Sequence, residues 1–384
     1  VPEVRVRAEP PVSGPWPGWP VVPLTAAILA TPRAGPVAAS LFCGCGGSSL
    51  GLRWAGLDVR YANEFHPNAA ACYELNFGRR PDARDVRAVR GAEILEACGG
   101  RVDVLDASPP CQSFSMAGKR QKGWGAKKMH SDGTRQRSDD LFLEFCRLVE
   151  EAKPRSFMAE NVPGLAAGTA WGFLREVCAR LRRAGYEVRA KILDASWLGV
   201  PQSRRRLWLV GTRLAERRPP EFPRPWRRRT RMIDALPRAA EAKFNSNGIH
   251  KKVARGKRSQ MSAMTASRSD HFSVCAPPVT SFLARESLRV APGRGHKKHF
   301  NLRLASPGSP APTMAAMWGR GNLAQVMPSP WRRFEIWELR RLMGFPDDFQ
   351  LEGSYAEQWA RLGNAVPPPM AAAVAAALSG CLRA

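Results

Sequence analysis

The residues with the most evident chemistry are Ala107-Ser108-Pro109-Pro110-Cys111-Gln112. A thiol stands directly behind two prolines, at the end of an apolar run, Val102-Asp103-Val104-Leu105, that reads as a short buried strand. Two successive prolines neither extend a strand nor enter a helix, so the chain must turn there with little freedom. In open α/β sheets ligands bind at the C-terminal ends of the strands, so a thiol on a rigid turn there is placed to be a nucleophile. A cysteine taken alone is more often a small buried hydrophobe. The chain has nine, and it is the surroundings of Cys111 that single it out.

The elements needed to position that thiol can be read from Val37 onward. Val37-Ala38-Ala39-Ser40-Leu41-Phe42 reads as a first strand, and Cys43-Gly44-Cys45-Gly46-Gly47-Ser48-Ser49 as a glycine turn opening a helix capped by Ser48 or Ser49. Glycines let the backbone approach a ligand, and a helix N-terminus offers free N–H groups. Gly-x-Gly-Gly is not the dinucleotide spacing. Cys43 and Cys45 are not followed by a second pair at zinc spacing, so no metal is expected. A second strand, Val59 to Glu64, ends in a carboxylate near the distance at which βαβ folds place an acid for ribose hydroxyls. A short third strand brings Asp85-Val86, and Val102 to Ala107 is the fourth, delivering Cys111.

Residues 113–137 form a long glycine-hinged loop with 7 Lys and Arg against 1 Asp, read as a lid over a polyanion. A fifth strand ends at Glu160-Asn161, which puts an acid within reach of Cys111. A strand from Glu187 to Leu193 follows. Val200-Pro201-Gln202-Ser203-Arg204-Arg205-Arg206 then leads into the strand Leu207-Trp208-Leu209-Val210. Beyond Thr212 the βαβ rhythm stops, which places a domain boundary near 213. Helical patterning returns at Glu335–Met343, and the chain closes on Gly363-Asn364-Ala365-Val366-Pro367-Pro368 and an alanine-rich helix.

The chain has 384 residues, 44% of them hydrophobic, enough for two domains or one with an insertion. No run of about 18 apolar residues argues for a membrane span. Residues 1–36, with Pro10-Pro11 and Trp16-Pro17, read as a loose proline-rich leader without a signal peptide, so the cysteines read as reduced thiols. The net charge is +26, and residues 213–300 alone hold 21 Lys and Arg against 6 Asp and Glu. Charge concentrated inside the chain in this way is an electrostatic footprint for nucleic acid.

In order, these stretches resemble the cytosine-C5 DNA methyltransferase family from about Val37 to the C-terminus, apart from 213–300. Phe42-Cys43-Gly44-Cys45-Gly46-Gly47, Pro109-Pro110-Cys111-Gln112, Glu160-Asn161-Val162, Gln202-Ser203-Arg204-Arg205-Arg206, Arg340 to Pro346 with Glu338 upstream, and Gly363 to Pro368 match its motifs. Ser108 stands where glycine is common, and Phe65 where tryptophan often follows the acid.

The resemblance implies a Rossmann-like S-adenosylmethionine-dependent methyltransferase fold: α/β, with a mostly parallel seven-stranded sheet and a smaller irregular target-recognition domain. Residues 37–212 would be the catalytic and cofactor-binding domain, 213–330 the target-recognition domain, and 331–384 a segment returning to the catalytic domain. It implies Cys111 as nucleophile, Glu160 at the N3 edge of the base, and Arg206 at O2 with Arg204 supporting it. S-adenosylmethionine would lie on Phe42, Gly44, Gly46, Gly47, Glu64, Phe65, Asp85, Val86, Pro109, Asn364, Ala365 and Val366. Duplex DNA would be held by Gln112, Ser113, Lys119, Arg120, Lys127 and Lys128, by Arg227, Arg228 and Arg229, and by Lys251, Lys252, Arg255, Lys257 and Arg258.

The enzyme is expected to be a cytoplasmic monomer on DNA, nucleoid-associated in a bacterium, with a restriction endonuclease left open as a partner. The alternative kept beside it is a transfer-RNA cytosine-5 methyltransferase using the same residues; the size of the basic insert argues for DNA. An N4-directed enzyme would leave Glu160-Asn161 unexplained, and a catalytically dead DNA binder would have a broken catalytic set.

Overall fold

The computed structural model describes residues 35–110, 140–168, 170–236, 308–314, 316 and 334–382. It also describes the backbone of short strands at 128–129, 135–136, 303–304, 325–328 and 331–333. Six strands form the main sheet: β1 (Val37–Leu41), β2 (Asp58–Asn63), β3 (Val104–Ala107), β4 (Ser156–Asn161), β5 (Tyr186–Asp194) and β6 (Arg205–Arg213). Their spatial order is β2-β1-β3-β4-β6-β5. The first four pair in parallel, and β6 runs antiparallel to both β4 and β5. The first strand being central, with the chain stepping outward to both sides, puts the ends of β1, β3 and β4 at one switch point, where α/β sheets bind ligands.

The strand predicted before Asp85 is reduced to a single parallel bridge between Asn63 and Asp82 at the β2 edge. The main sheet therefore has six strands among the described residues where seven were expected. The Asp82 backbone bonds Ala62 and Glu64, and its side chain accepts from Tyr61 and pairs with Arg84.

Helices cover both faces. α1 (Gly47–Trp54) follows β1, and α2 (Pro67–Phe77) follows β2. α3 (Gly91–Ala97), α4 (Leu141–Ala152) and α5 (Ala170–Arg183) lie on one face, where Ile94, Phe145, Leu148, Val177 and Leu181 pack with Leu41, Leu105 and Phe157. α4 and α5 bury an apolar stripe at helical spacing, the pattern that lets a helix cover a sheet. The short α6 (Met232–Ala235) and α7 (Ile336–Leu342) pack near α8 (Tyr355–Asn364).

α9 (Pro368–Leu382) lies against α1 and the opposite face of the sheet, where Val374, Ala375 and Leu378 meet Ala38, Leu52, Val104 and Met158. Its alanines permit close approach: a Cβ on Gly51 of α1 would collide with Pro368 and Ala371. The stretch Tyr355–Leu382 is long and apolar enough by composition to cross a membrane, but 78% of its most apolar window is buried inside the protein.

Residues 214–236, which loss of the βαβ rhythm assigns to a second unit, pack back onto the sheet domain. The Trp226 amide donates to the Trp197 carbonyl and the Thr230 amide to the Ser196 carbonyl, both at 2.8 Å. Ala311–Pro312 then pairs in parallel with Gln202–Ser203. Composition marks where regular strands end; it does not mark where an irregular chain stops touching the core.

Candidate active site

The turn after β1 is built by backbone geometry that side chains resist. Gly46 caps α1 in the left-handed region with φ 99°, and a Cβ there would collide with the Phe77 ring. A Cβ on Gly47 would run into the Val366 carbonyl and the Phe345 ring. The C-terminal segment therefore sits directly on the glycine turn. Phe42 is itself held at φ 53°, an uncommon conformation for a bulky residue.

Ser48 and Ser49 do not cap α1, contrary to the sequence expectation. A tertiary partner takes the Ser48 hydroxyl, which donates to Asp106 Oδ2 at 2.6 Å. The flanking thiols are inert: Cys43 and Cys45 are buried, and burial pushes Cys45 up to about 12.

Glu64, past the end of β2, accepts from the Gly44 amide at 2.8 Å through Oε2 and from the His66 amide at 2.7 Å through Oε1. Burial raises its pKa, and the two amides and the Arg361 charge oppose the rise. Each carboxylate oxygen retains a lone pair for a ligand hydroxyl. Phe65 beside it is 42% exposed, an open aromatic face. Asp85 caps the turn Val86–Ala88 by accepting from the Arg87 amide, and it pairs with the Arg87 guanidinium at 2.9 Å. The Val86 side chain is buried in the α3–α4 core cluster. In the C-terminal segment Asn364 is exposed, while Ala365 and Val366 are buried.

β3 ends in Ser108-Pro109-Pro110, and three bonds fix that turn. The Ser108 amide donates to the Leu41 carbonyl, and the Ser108 hydroxyl donates to the Phe42 carbonyl at 3.0 Å. The Asn161 amide group donates to the Pro109 carbonyl at 3.2 Å. Serine in place of the more common glycine thus adds a tie to the glycine turn. Next to Asn161, Glu160 is buried and pairs with Arg206, Nε to Oε1 at 2.7 Å.

Arg204 does not join that pair. It is 1% exposed; its Nη2 donates to the Gly363 and Ala365 carbonyls at 2.9 Å and its Nη1 to the Met314 carbonyl at 3.1 Å. Its terminal nitrogens are engaged by carbonyls of the C-terminal segment and of Met314. It fixes the C-terminal segment to the start of β6.

Arg229, expected on DNA, makes contacts within the sheet domain. It pairs with Asp194 at 3.0 Å, donates to Ser196 and Ser203, and lies over the Trp197 ring. Arg228 faces Asp234 at 3.4 Å on the surface, and Arg227 is exposed. Cys111, Gln112, Ser113, Lys119, Arg120, Lys127, Lys251, Lys252, Arg255, Lys257 and Arg258 lie outside the described residues. Of Lys128 only the backbone is described, paired with Gln136.

Sequence reasoning missed Asp106, Ser40 and Arg361, and gave Ser48 a capping role in place of its bond to Asp106. A carboxylate inside the apolar strand Val-Leu-Asp-Ala was a signal for the first. Nothing local marked the others.

Glu160 and Arg206 thus stand paired beside the anchored Pro109 turn, next to a glycine cradle roofed by Val366. A model of the family described as C-5 cytosine-specific DNA methylase matches residues 38–380. The chain belongs to that family. It is a DNA (cytosine-5)-methyltransferase, and its methyl donor is S-adenosylmethionine. The type II methyltransferase M.XorII of Xanthomonas oryzae pv. oryzae is 30% identical over 376 residues, 91% of this chain and 85% of the relative. M.NgoFVII of Neisseria gonorrhoeae is 28% identical over 348 residues, covering 87% and 83% of the two chains. M.MthTI of Methanothermobacter thermautotrophicus is 28% identical over 344 residues, covering 87% and 94%.

Among solved structures, one described as a prophage-encoded DNA modification methyltransferase (E. coli) aligns with TM-score 0.67 at 21% identity, over 90% of this chain and 99% of that one. The S. pombe Dnmt2 methyltransferase aligns with TM-score 0.54 at 18% identity, over 90% and 98%. These two alignments support the fold of the methyltransferase domain.

Proposed function

We propose that this methyltransferase modifies a cytosine flipped out of a specific duplex sequence, through a covalent bond from Cys111 to C6. Cytosine C5 is a poor nucleophile. Thiolate addition at C6 moves electron density to C5, which then forms the bond to the methyl group. Loss of the C5 proton and elimination of the thiol restore the ring and the enzyme. A free thiol has a pKa of ~8.5, so the basic stretch 113–137 favours the reactive thiolate.

Glu160 is the acid at the N3 edge, and Arg206 holds both Glu160 and the O2 side of the base. A cytosine inside a duplex cannot reach such a pocket, so it must leave the stack. The observation that carries this reading is the 2.7 Å Glu160–Arg206 pair, beside an Asn161 that bonds the turn leading to Cys111.

S-adenosylmethionine, when bound, supplies an activated methyl group and leaves as S-adenosylhomocysteine. The cradle suits it: the close packing at Gly46 and Gly47 keeps side chains out, Glu64 has acceptor capacity for ribose hydroxyls, and Phe65 offers a face for adenine. Phe42, Gly44, Pro109, Asn364, Ala365 and Val366 complete the pocket, and Asp85 and Val86 take the adenine edge. Residues 213–330 supply target recognition, chiefly from the part beyond 236. The names of the relatives support a modification role beside a cognate endonuclease, with the enzyme acting as a cytoplasmic monomer.

The test is methyl transfer to mixed-sequence duplex DNA, with the product digested to nucleosides and identified by mass, and Cys111→Ala run in parallel. 5-Methylcytosine from the wild type and none from the variant is the expected result. N4-methylcytosine, or methylation of transfer RNA with DNA untouched, overturns it.

A further inference from the structure

Asp106 is a buried carboxylate that the proposed chemistry does not use. It lies on β3, 1% exposed, directly across from Ser40 in the β1–β3 register. Its Oδ2 accepts from the Ser40 hydroxyl at 2.7 Å and from the Ser48 hydroxyl at 2.6 Å. One oxygen therefore joins three elements: the strand entering the glycine turn, the first turn of the helix leaving it, and the strand that runs on to Ser108-Pro109-Pro110-Cys111. The Ser108 hydroxyl, two residues on, ties the same strand to the Phe42 carbonyl.

We propose that Asp106 is a positioning residue for the methyl donor: it fastens the glycine turn to the strand that presents Cys111, and its ionised form favours donor binding over its neutral form. The inference rests on the reading of Gly44–Gly47 as the donor cradle.

Two physical arguments support it. Hydroxyl bonds to a carboxylate are roughly twice as strong as those to a neutral acid, so ionisation tightens the junction. A negative charge beneath the cradle also attracts a sulfonium cation, and in a water-poor interior that attraction is weakly screened. The group is poised to change state. Burial raises its pKa to about 7, against the two serine bonds that lower it, and the Glu160 charge adds to the rise. The titratable groups facing it are Glu160 on β4, itself paired with Arg206, and the Cys43 thiol past the end of β1. On that side α1 contributes Ser48, and α9 has no charged residue along its length.

The experiment is calorimetric titration of the full chain with S-adenosylmethionine and with S-adenosylhomocysteine between pH 6 and 8.5. Wild type, Asp106→Asn and Ser48→Ala are compared, with melting curves to establish that each is folded. Comparison with Asp106→Asn at each pH cancels protons taken up by the ligand's own amine. The wild-type dissociation constant for S-adenosylmethionine should rise, relative to Asp106→Asn, as the pH falls through 7. Each unit by which the ligand lowers the Asp106 pKa corresponds to a roughly tenfold change. The neutral thioether product should show a smaller effect. Ser48→Ala keeps the carboxylate but removes a donor, so its midpoint should move to higher pH; this variant carries the test if Asp106→Asn does not fold. Superimposable pH profiles for all folded forms overturn the inference alone. A wild type that binds neither ligand at any pH overturns the cradle reading and the inference with it.

Discussion

Glu160 and Arg206 satisfy each other at 2.7 Å, each side chain little exposed. Removing one partner of such a pair leaves a buried charge without compensation, which costs more than the pair contributes. In Arg206→Ala the carboxylate loses its guanidinium and the base loses its O2 donor. Single-turnover methyl transfer should fall about 100-fold or more, the size seen when one preorganised donor is lost. S-adenosylmethionine affinity should stay within a few-fold, because Arg206 does not line the cradle. A loss of donor affinity as large as the loss of rate would show that the substitution disturbs the fold.

Asp106 gives a second prediction, on stability. Its folded pKa of about 7 lies above the ordinary value of an unfolded Asp, ~3.9. The folded state therefore holds the proton more tightly, and this contribution is fully present below pH ~4 and lost as the pH rises through 7. Asp106→Asn cannot ionise and does not incur that loss. Its melting temperature, minus that of the wild type, should become more positive from pH 6 to pH 8. A difference that is flat with pH, measured by scanning calorimetry in the absence of ligand, would remove Asp106 as the titrating group.

At the level of elements, Arg204 is a buried tie between the C-terminal segment and the catalytic sheet. Arg204 leaves the short strand Gln202–Ser203 and donates to carbonyls of Gly363, Ala365 and Met314. Methionine fills similar volume but leaves those buried acceptors without donors, at about 1–3 kcal/mol for each group left unsatisfied. Arg204→Met should lower the urea unfolding free energy by about 3 kcal/mol or more and weaken S-adenosylmethionine binding, because Val366 roofs Gly47. Unchanged donor affinity would mean that the roof holds without Arg204.

The contrast between Arg204 and Arg206 shows where the sequence is legible. β1 to β6 and the glycine and proline turns are written in local pattern: apolar runs cut by residues with restricted or permissive backbones. Glu160, Arg206 and the Pro109 turn follow from motif. Arg204, Asp106 and Arg229 do not, because their roles are set by partners far along the chain. Asp106 meets Ser40 66 residues away, Arg204 meets Gly363 159 away, and Arg229 meets Asp194 35 away. Ser48 does not cap because Gly46 holds the N-cap position and Ser48 already lies inside the helix, where its hydroxyl donates to Asp106.

For the whole molecule the question is where the +26 charge acts. Many arginines of the sheet domain are paired: Arg155 with Asp103 and Glu216, Arg180 with Glu150, Arg147 with Glu144 and Glu151, Arg87 with Asp85 and Asp140. Residues 237–302 hold 13 Lys and Arg against 3 Asp and Glu, so the excess is concentrated there and in 113–137. The chain flanking this segment is brought together, since the Met232 amide donates to the Ser309 carbonyl at 2.9 Å. A segment whose flanks are hydrogen-bonded neighbours can be replaced by a short linker without stretching the remainder.

A chain with 237–302 exchanged for a Gly-Ser linker should therefore melt as a folded domain and bind S-adenosylmethionine with wild-type affinity. Its DNA affinity should fall less steeply with salt, because each phosphate contact contributes about −0.9 to the slope of log K against log salt. A loss of 6 contacts would flatten it by roughly 5. Methylation at the specific site should disappear. If the linker variant still modified the same sequence, the bases would be read elsewhere, from 113–137 or from Arg227 and its neighbours on the sheet domain.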